Sequence, residues 1–201
     1  MSELTVLQAV RLKGRIVEPQ LVATVGEDAT DVAQTVLQLT AGGLLLEGTS
    51  LRLSPEGRAR LNTLLAQERS SVDHAALAQS YAEFRTVNHE FKALVADWQL
   101  KDGQPNTHED AAYDAAILDR LTDVHQRVTP VLAAVVDVVP RLAAYADKLE
   151  SALAKVQAGD TAWFTRPIID SYHTVWFELH EELIAASGLT REDEAKAGHA
   201  D

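Results

Sequence analysis

The chain has 201 residues, 46% of them apolar, which suits one large domain or a small domain beside a larger one and excludes wholesale disorder. With no cysteine it can form neither disulfides nor thiolate metal sites, and its net charge of −12 predicts an acidic surface. No apolar run is long enough to cross a membrane and the N-terminus lacks the basic-then-apolar order of a signal peptide, so the expected location is the cytoplasm.

The charge is uneven. Residues 1–69 carry seven basic and eight acidic side chains, whereas residues 70–201 carry eleven and twenty-two. The acidic part repels phosphate, so any nucleic-acid contact falls to the N-terminal third.

In chain order, Leu4, Val6, Leu7 and Val10 lie at helical spacing, and Gly14 ends that helix. Pro19 sits at a first helical position and Gly26 stops a second helix of about two turns. A third helix has Val32, Val36, Leu37 and Leu39 as apolar positions and closes at Gly42-Gly43. "LLLE" and "SLRL" then read as two short strands around "GTS". Ser54, an N-cap, and Pro55 open a further helix through "GRARLNTLLAQE".

Beyond residue 70 the pattern is helical throughout. Leu77, Tyr81, Phe84, Asn88, Phe91, Val95 and Trp98 alternate in steps of four and three along one helix face. "KDGQPNTHED" reads as a polar loop in which Thr107 and Asp110 can cap the next helix. That helix is expected from about residue 111 to 128, ahead of Pro130, and Pro140 marks a kink or a fresh start. "RLAAYADKLESALAKVQAG" reads as a helix stopped by Gly159, and a last long helix is expected after Pro167, ending at Gly188. Residues 190–201 are a charged tail expected to fray.

The order helix, helix, helix, strand, strand, helix is that of a winged helix. "AGGLLLEGTSLRLSPEGRARL" resembles the recognition-helix end, wing and following helix of MarR-, PadR- and GntR-type bacterial regulators, with Gly43-Leu44 and Leu53-Ser54-Pro55-Glu56-Gly57-Arg58 carrying the match. The resemblance covers about a third of the chain and is more specific for fold than for any one family. The fold class expected is therefore mostly α: a winged helix-turn-helix of three helices and a short two-stranded wing over residues 1–69, then an all-helical bundle over 70–189 for dimerisation and effector binding, then the tail.

In such a fold the third helix lies in the major groove, and bases are read by hydrogen-bonding side chains near its start. Thr30, Gln34, Thr35 and Gln38 are the candidates, with Arg11, Lys13, Arg15, Arg52 and Arg58 available for phosphate. That helix has no Lys or Arg, and Asp28 and Asp31 stand in its first turn, where a carboxylate caps the helix but faces phosphate.

In the helical part, "DSYHTVWFELHEEL" puts His173 and His180 on one face, and His89 and His125 on other helices can converge with them. GntR-type regulators often carry a helical effector domain with an Asp and three His around a metal. Segments such as "FRTVNHEFKALVADW" and "LESALAKVQAGDTAWF" are similar to parts of it, but Tyr145 stands where a ligand His is expected, and no His–x3–His spacing occurs. His89, His125, His173 and His180 are thus weak metal candidates, and no cofactor is expected. Asn88, Trp98, Tyr172, His173 and Trp176 are the candidates for a small-molecule pocket, Asn88 because a buried amide on an apolar face needs partners.

Enzymatic motifs are missing. There is no Gly-rich phosphate loop and no Gly–x–Ser–x–Gly elbow, and nothing raises Asp114, Asp119 and His125 above chance as an acid–base set. The expected function is a non-enzymatic, dimeric transcriptional regulator that binds double-stranded DNA and can take a small effector. The alternative is a regulatory module whose winged helix binds a protein partner such as a metabolic enzyme.

Overall fold

The computed structural model describes residues 2–196 and Gly198. The chain divides between residues 71 and 72 into two compact units. Both are dominated by α-helix, and no helix among the described residues is long and apolar enough to cross a membrane.

Unit 1 runs α1 (Glu3–Lys13), α2 (Glu18–Val25), α3 (Ala29–Ala41), β1 (Leu45–Leu46), β2 (Arg52–Leu53) and α4 (Pro55–Ser71). Leu4, Leu7 and Val10 of α1 are buried and meet Leu21 of α2, Val32, Val36 and Leu39 of α3, and Leu61 and Leu65 of α4 in one core. α1 and α2 both end at a glycine with positive φ, Gly14 at 68° and Gly26 at 70°. The Asp28 carboxylate caps α3 by accepting from the Thr30 amide at 2.8 Å.

The hairpin pairs Leu45 with Leu53 and Leu46 with Arg52 in antiparallel register. A third segment joins it: Ile16, between α1 and α2, bridges Leu51, with both amide-to-carbonyl bonds made, at 2.8 and 3.2 Å. That bridge has no sequence signal beyond one buried isoleucine in a short connection. Leu37, expected in the apolar set of α3, is instead 70% exposed. It comes directly after Val36, so it projects about 100° away around the helix.

The "AGGL…SPEGR" phrase closes on itself. Ser54 Oγ accepts from the Gly57 amide at 2.9 Å and donates to the Gly43 carbonyl at 2.7 Å, while the Ser54 amide donates to the Leu44 carbonyl at 3.1 Å. Gly57 lies so close to that turn that a Cβ there would sit 2.0 Å from the Leu44 carbonyl oxygen. One hydroxyl and one missing side chain thus staple the start of α4 to the end of α3.

Unit 2 begins with α5 (His74–Gln99), whose expected face, from Leu77 to Trp98, is buried along its length. The following loop is a hairpin, β3 (Leu100–Lys101) with β4 (Gln104–Pro105), turned by Asp102 and Gly103 at φ 53° and 76°. Two successive positive φ values suit an Asp-Gly pair.

Next, α6 (Ala111–Val138) runs back along α5. It does not stop before Pro130: that residue is exposed, so the carbonyl it leaves without a donor faces water. A short 3₁₀ turn (Pro140–Leu142) leads into α7 (Ala144–Gln157), then α8 (Ala162–Thr165), α9 (Tyr172–Ala186) and α10 (Arg191–Lys196). α9 starts later than expected, at its Ser171 cap, after a turn in which Ile168 is 96% exposed with φ 74°. It is buried on nearly every side, by α7 and α8 among others. Residues 191–196, expected to fray, form a helix anchored by the buried Glu194; beyond residue 196 the expected tail, apart from Gly198, lies outside the described residues.

Candidate functional site

Unit 2 has a cleft of about 490 Å³ between α5, α9 and α10. Asn88, Phe91, Lys92 and Val95 of α5 form one wall, His173, Trp176, Phe177 and His180 of α9 the other, and Arg191 of α10 closes one end. Its floor is aromatic, with the Phe91 and Trp176 rings stacked at 4.3 Å between centroids.

Asn88 is 3% exposed, and its Oδ1 accepts from the Trp176 indole Nε1 at 2.8 Å. The bond answers both the expected burial of this amide and the need of a buried indole for an acceptor. It locks the α9 tryptophan against α5.

Behind the cleft lies a polar chain. His180 Nε2 is 3.1 Å from the Tyr81 hydroxyl, and that hydroxyl donates to Glu194 Oε2 at 2.7 Å. Arg85 Nε reaches the same carboxylate at 3.0 Å, its Nη2 binds the other oxygen, and its guanidinium lies over the Tyr81 ring at 4.3 Å. Burial, with the positive Arg191 nearby, pulls the His180 imidazole down to about 4, and burial also lowers His173. Both rings are therefore neutral at neutral pH. Arg191 Nη1 donates to Glu181 Oε1 at 2.5 Å and stands 4.8 Å from the Phe177 ring centre.

Of the residues expected at a pocket, Asn88, His173 and Trp176 meet in this cleft. Tyr172 does not line it. It is fully buried with its ring 5.6 Å from Phe91 and 6.0 Å from Trp176, and its hydroxyl is 3.2 Å from His125 Nδ1. Trp98 is also elsewhere, packed edge-on to Phe164 at 5.2 Å and close to the His108 ring at 4.4 Å. The residues missed are Phe177, Lys92 and Arg191, and Arg191 lies in the segment expected to fray.

Of the four histidines considered for a metal, His173 and His180 share the cleft, while His89 and His125 do not line it. His89 is exposed, His125 is held between Tyr172 and Glu150, whose Oε2 is 2.9 Å from Nε2, and His180 is bonded to Tyr81. Among the described residues no group of three or more His, Asp or Glu is placed to hold a metal ion. Tyr145, at the position where the resemblance calls for histidine, is buried with its hydroxyl 3.5 Å from Glu182 Oε1, and burial raises its pKa well above the usual value. Asp114 is taken up by Asn106 and His108, each at 3.0 Å, while Asp119 is exposed.

In unit 1, Thr30, Gln34 and Gln38 are exposed on α3 together with Asp31 and Leu37. The Thr35 hydroxyl is turned back to donate to the Asp31 carbonyl at 2.8 Å. Arg15, Arg52 and Arg58 are exposed, while Arg11 and Lys13 are half-buried. Arg60 is engaged by Glu3, at 2.9 and 2.7 Å, which holds the Glu3 carboxyl below its ordinary value.

Comparison with protein-family models, curated proteins and solved structures finds no match.

Proposed function

We propose that unit 1 is a winged helix and that the protein is a dimeric, DNA-binding transcriptional regulator whose helical unit takes a small effector. The observation that carries this reading is the Ile16–Leu51 bridge. It adds a strand-like segment between the first and second helices to the hairpin, which is where a winged helix has one. Thr30, Gln34 and Gln38 on the exposed side of α3 supply groups able to bond base edges, and Arg52 and Arg58 supply charge for phosphate. With so few cations per protomer, affinity depends on a second copy, and its salt dependence is shallow.

Selection of sheared genomic DNA on purified protein, at about 50 and 200 mM salt, tests the proposal. Enrichment of one or a few sites, lost in an Arg52→Ala, Arg58→Ala double variant, is the expected result. Retention of nothing, or of all sequences equally, overturns it.

One feature favours a second reading, in which α3 and the hairpin dock on a protein such as a metabolic enzyme. Leu37 is 70% and Leu46 44% exposed, and the exposed α3 residues include Asp31 but no cation. Substituting Leu37→Gln separates the two readings: it spares selective DNA retention in a regulator and abolishes capture of a partner in a docking module.

A further inference from the structure

We propose that the exposed stripe of α3 reads A·T base pairs, with Leu37 against the methyl group of a thymine and the amides of Gln34 and Gln38 on adenine. The inference names the base composition of the bound site, and it rests on the regulator reading above.

The arrangement around the helix carries the argument. Val32, Val36 and Leu39 turn one side of α3 into the core of unit 1. On the opposite side Thr30, Gln34, Leu37 and Ala41 are exposed in steps of four, three and four, which keeps them within about 60° of one another around the axis. Gln38 and Asp31 are exposed along one flank of that line. Leu37 is thus at the centre of the face that a winged helix turns to the major groove, and it is 70% exposed.

The chemistry of the stripe selects among bases. Guanine presents two acceptors, N7 and O6, to the major groove, and the side chains that match both are Arg and Lys. α3 has neither, and the Asp31 carboxylate would set an acceptor against those acceptors. Adenine presents an acceptor, N7, beside a donor, the N6 amino group, and the carboxamide of Gln offers the complementary donor and acceptor. Leu37 can hydrogen-bond to no base, and the apolar group available in that groove is the thymine methyl. Gln34 and Leu37 are three residues apart, about 4.5 Å along the helix against about 3.4 Å between stacked base pairs, so they reach neighbouring pairs.

The test uses the full chain and a duplex carrying the site most enriched from genomic DNA, remade with deoxyuridine in place of one thymine at a time. Deoxyuridine pairs as thymine does and keeps the O4 acceptor, but it lacks the methyl group. At one position in each half-site the exchange is expected to weaken binding about fourfold, the effect of burying one carbon. In Leu37→Ala that exchange has no effect, while the site is still selected. Gln34→Ala and Gln38→Ala are each expected to weaken binding about tenfold and to relax the preference for adenine at one pair. All three side chains are exposed, so these variants keep the core of unit 1. A site read at guanines, thymines exchanged without loss, or a loss that is equal in the parent chain and in Leu37→Ala overturns the inference and leaves the regulator reading standing. Enrichment of no site overturns the regulator reading and this inference with it, and is the result expected of an α3 that docks on protein.

Discussion

The Tyr81 hydroxyl donates to the Glu194 carboxylate at 2.7 Å, joining the first helix of unit 2 to the last across 113 residues of chain. Arg85 adds a two-pronged ion pair to the same acid, and Glu194 is 2% exposed. Removing the acid takes from the Tyr81 hydroxyl and the half-buried Arg85 guanidinium the carboxylate that both of them bond. Glu194→Ala is therefore expected to destabilise unit 2 by about 2–4 kcal/mol. Urea unfolding followed by tryptophan emission measures it, and an unchanged midpoint would show that α10 contributes nothing to the fold.

Gly57 is the second test. A methyl group at 2.0 Å from a carbonyl oxygen cannot be accommodated without moving the start of α4. Gly57→Ala is expected to cost unit 1 about 2–4 kcal/mol, against a gain of under about 1 kcal/mol for alanine at an ordinary helix position. Hydrogen exchange of α4 and α3 amides reads this loss without interference from unit 2.

The Asn88–Trp176 bond predicts a non-additive pair. Asn88→Leu, of similar size, strands the indole N–H and is expected to cost about 1–3 kcal/mol. Trp176→Phe added to Asn88→Leu removes the stranded donor, so the double variant should lose less than the sum of the singles. A strictly additive result would mean that the indole finds another acceptor.

His180 predicts a pH dependence. Its folded-state value of about 4 lies below the ordinary 6.5, so the unfolded chain takes up the proton first as pH falls. Its contribution is intact above about pH 6.5 and is lost progressively down to about 4, by at most about 3 kcal/mol. Burial is the main cause of this value; Arg191 and Lys92 lower it further, Glu194 and Glu181 raise it, and the Tyr81 hydroxyl contacts the ring. In His180→Gln, which keeps a partner for Tyr81, the midpoint in urea should fall less between about pH 6.5 and 5 than in the parent chain. Equal slopes would mean that the imidazole is not held neutral.

What the sequence reveals here depends on how far apart the partners are. Ser54 and Gly57 are legible because their contacts lie a dozen residues away in one recurring phrase. The buried stripe of α5 is legible because periodicity reports one helix face. Leu37 is misplaced by its pattern because apolarity alone does not give an angle around the axis. The Asp102-Gly103 turn carries its signal openly, but two-residue strands leave no alternation to confirm it. Lys92 and Arg191 look like any solvated helix cations until α5, α9 and α10 are brought together. Glu194 sits in an acidic run that reads as surface, and only Tyr81 and Arg85, more than a hundred residues earlier, give it a reason to be buried.

That separation also governs how the chain is made. Unit 1 closes on contacts within its first 71 residues, so it can be complete while the remainder is still being translated. α5 emerges next with its apolar face open, and Tyr81 waits for an acceptor that is synthesised 113 residues later, a delay of about 6 to 23 seconds at ordinary elongation rates. Within that interval α6 and then α9 arrive to cover the stripe from Leu77 to Trp98, and the final acidic turn closes the Tyr81 bond last.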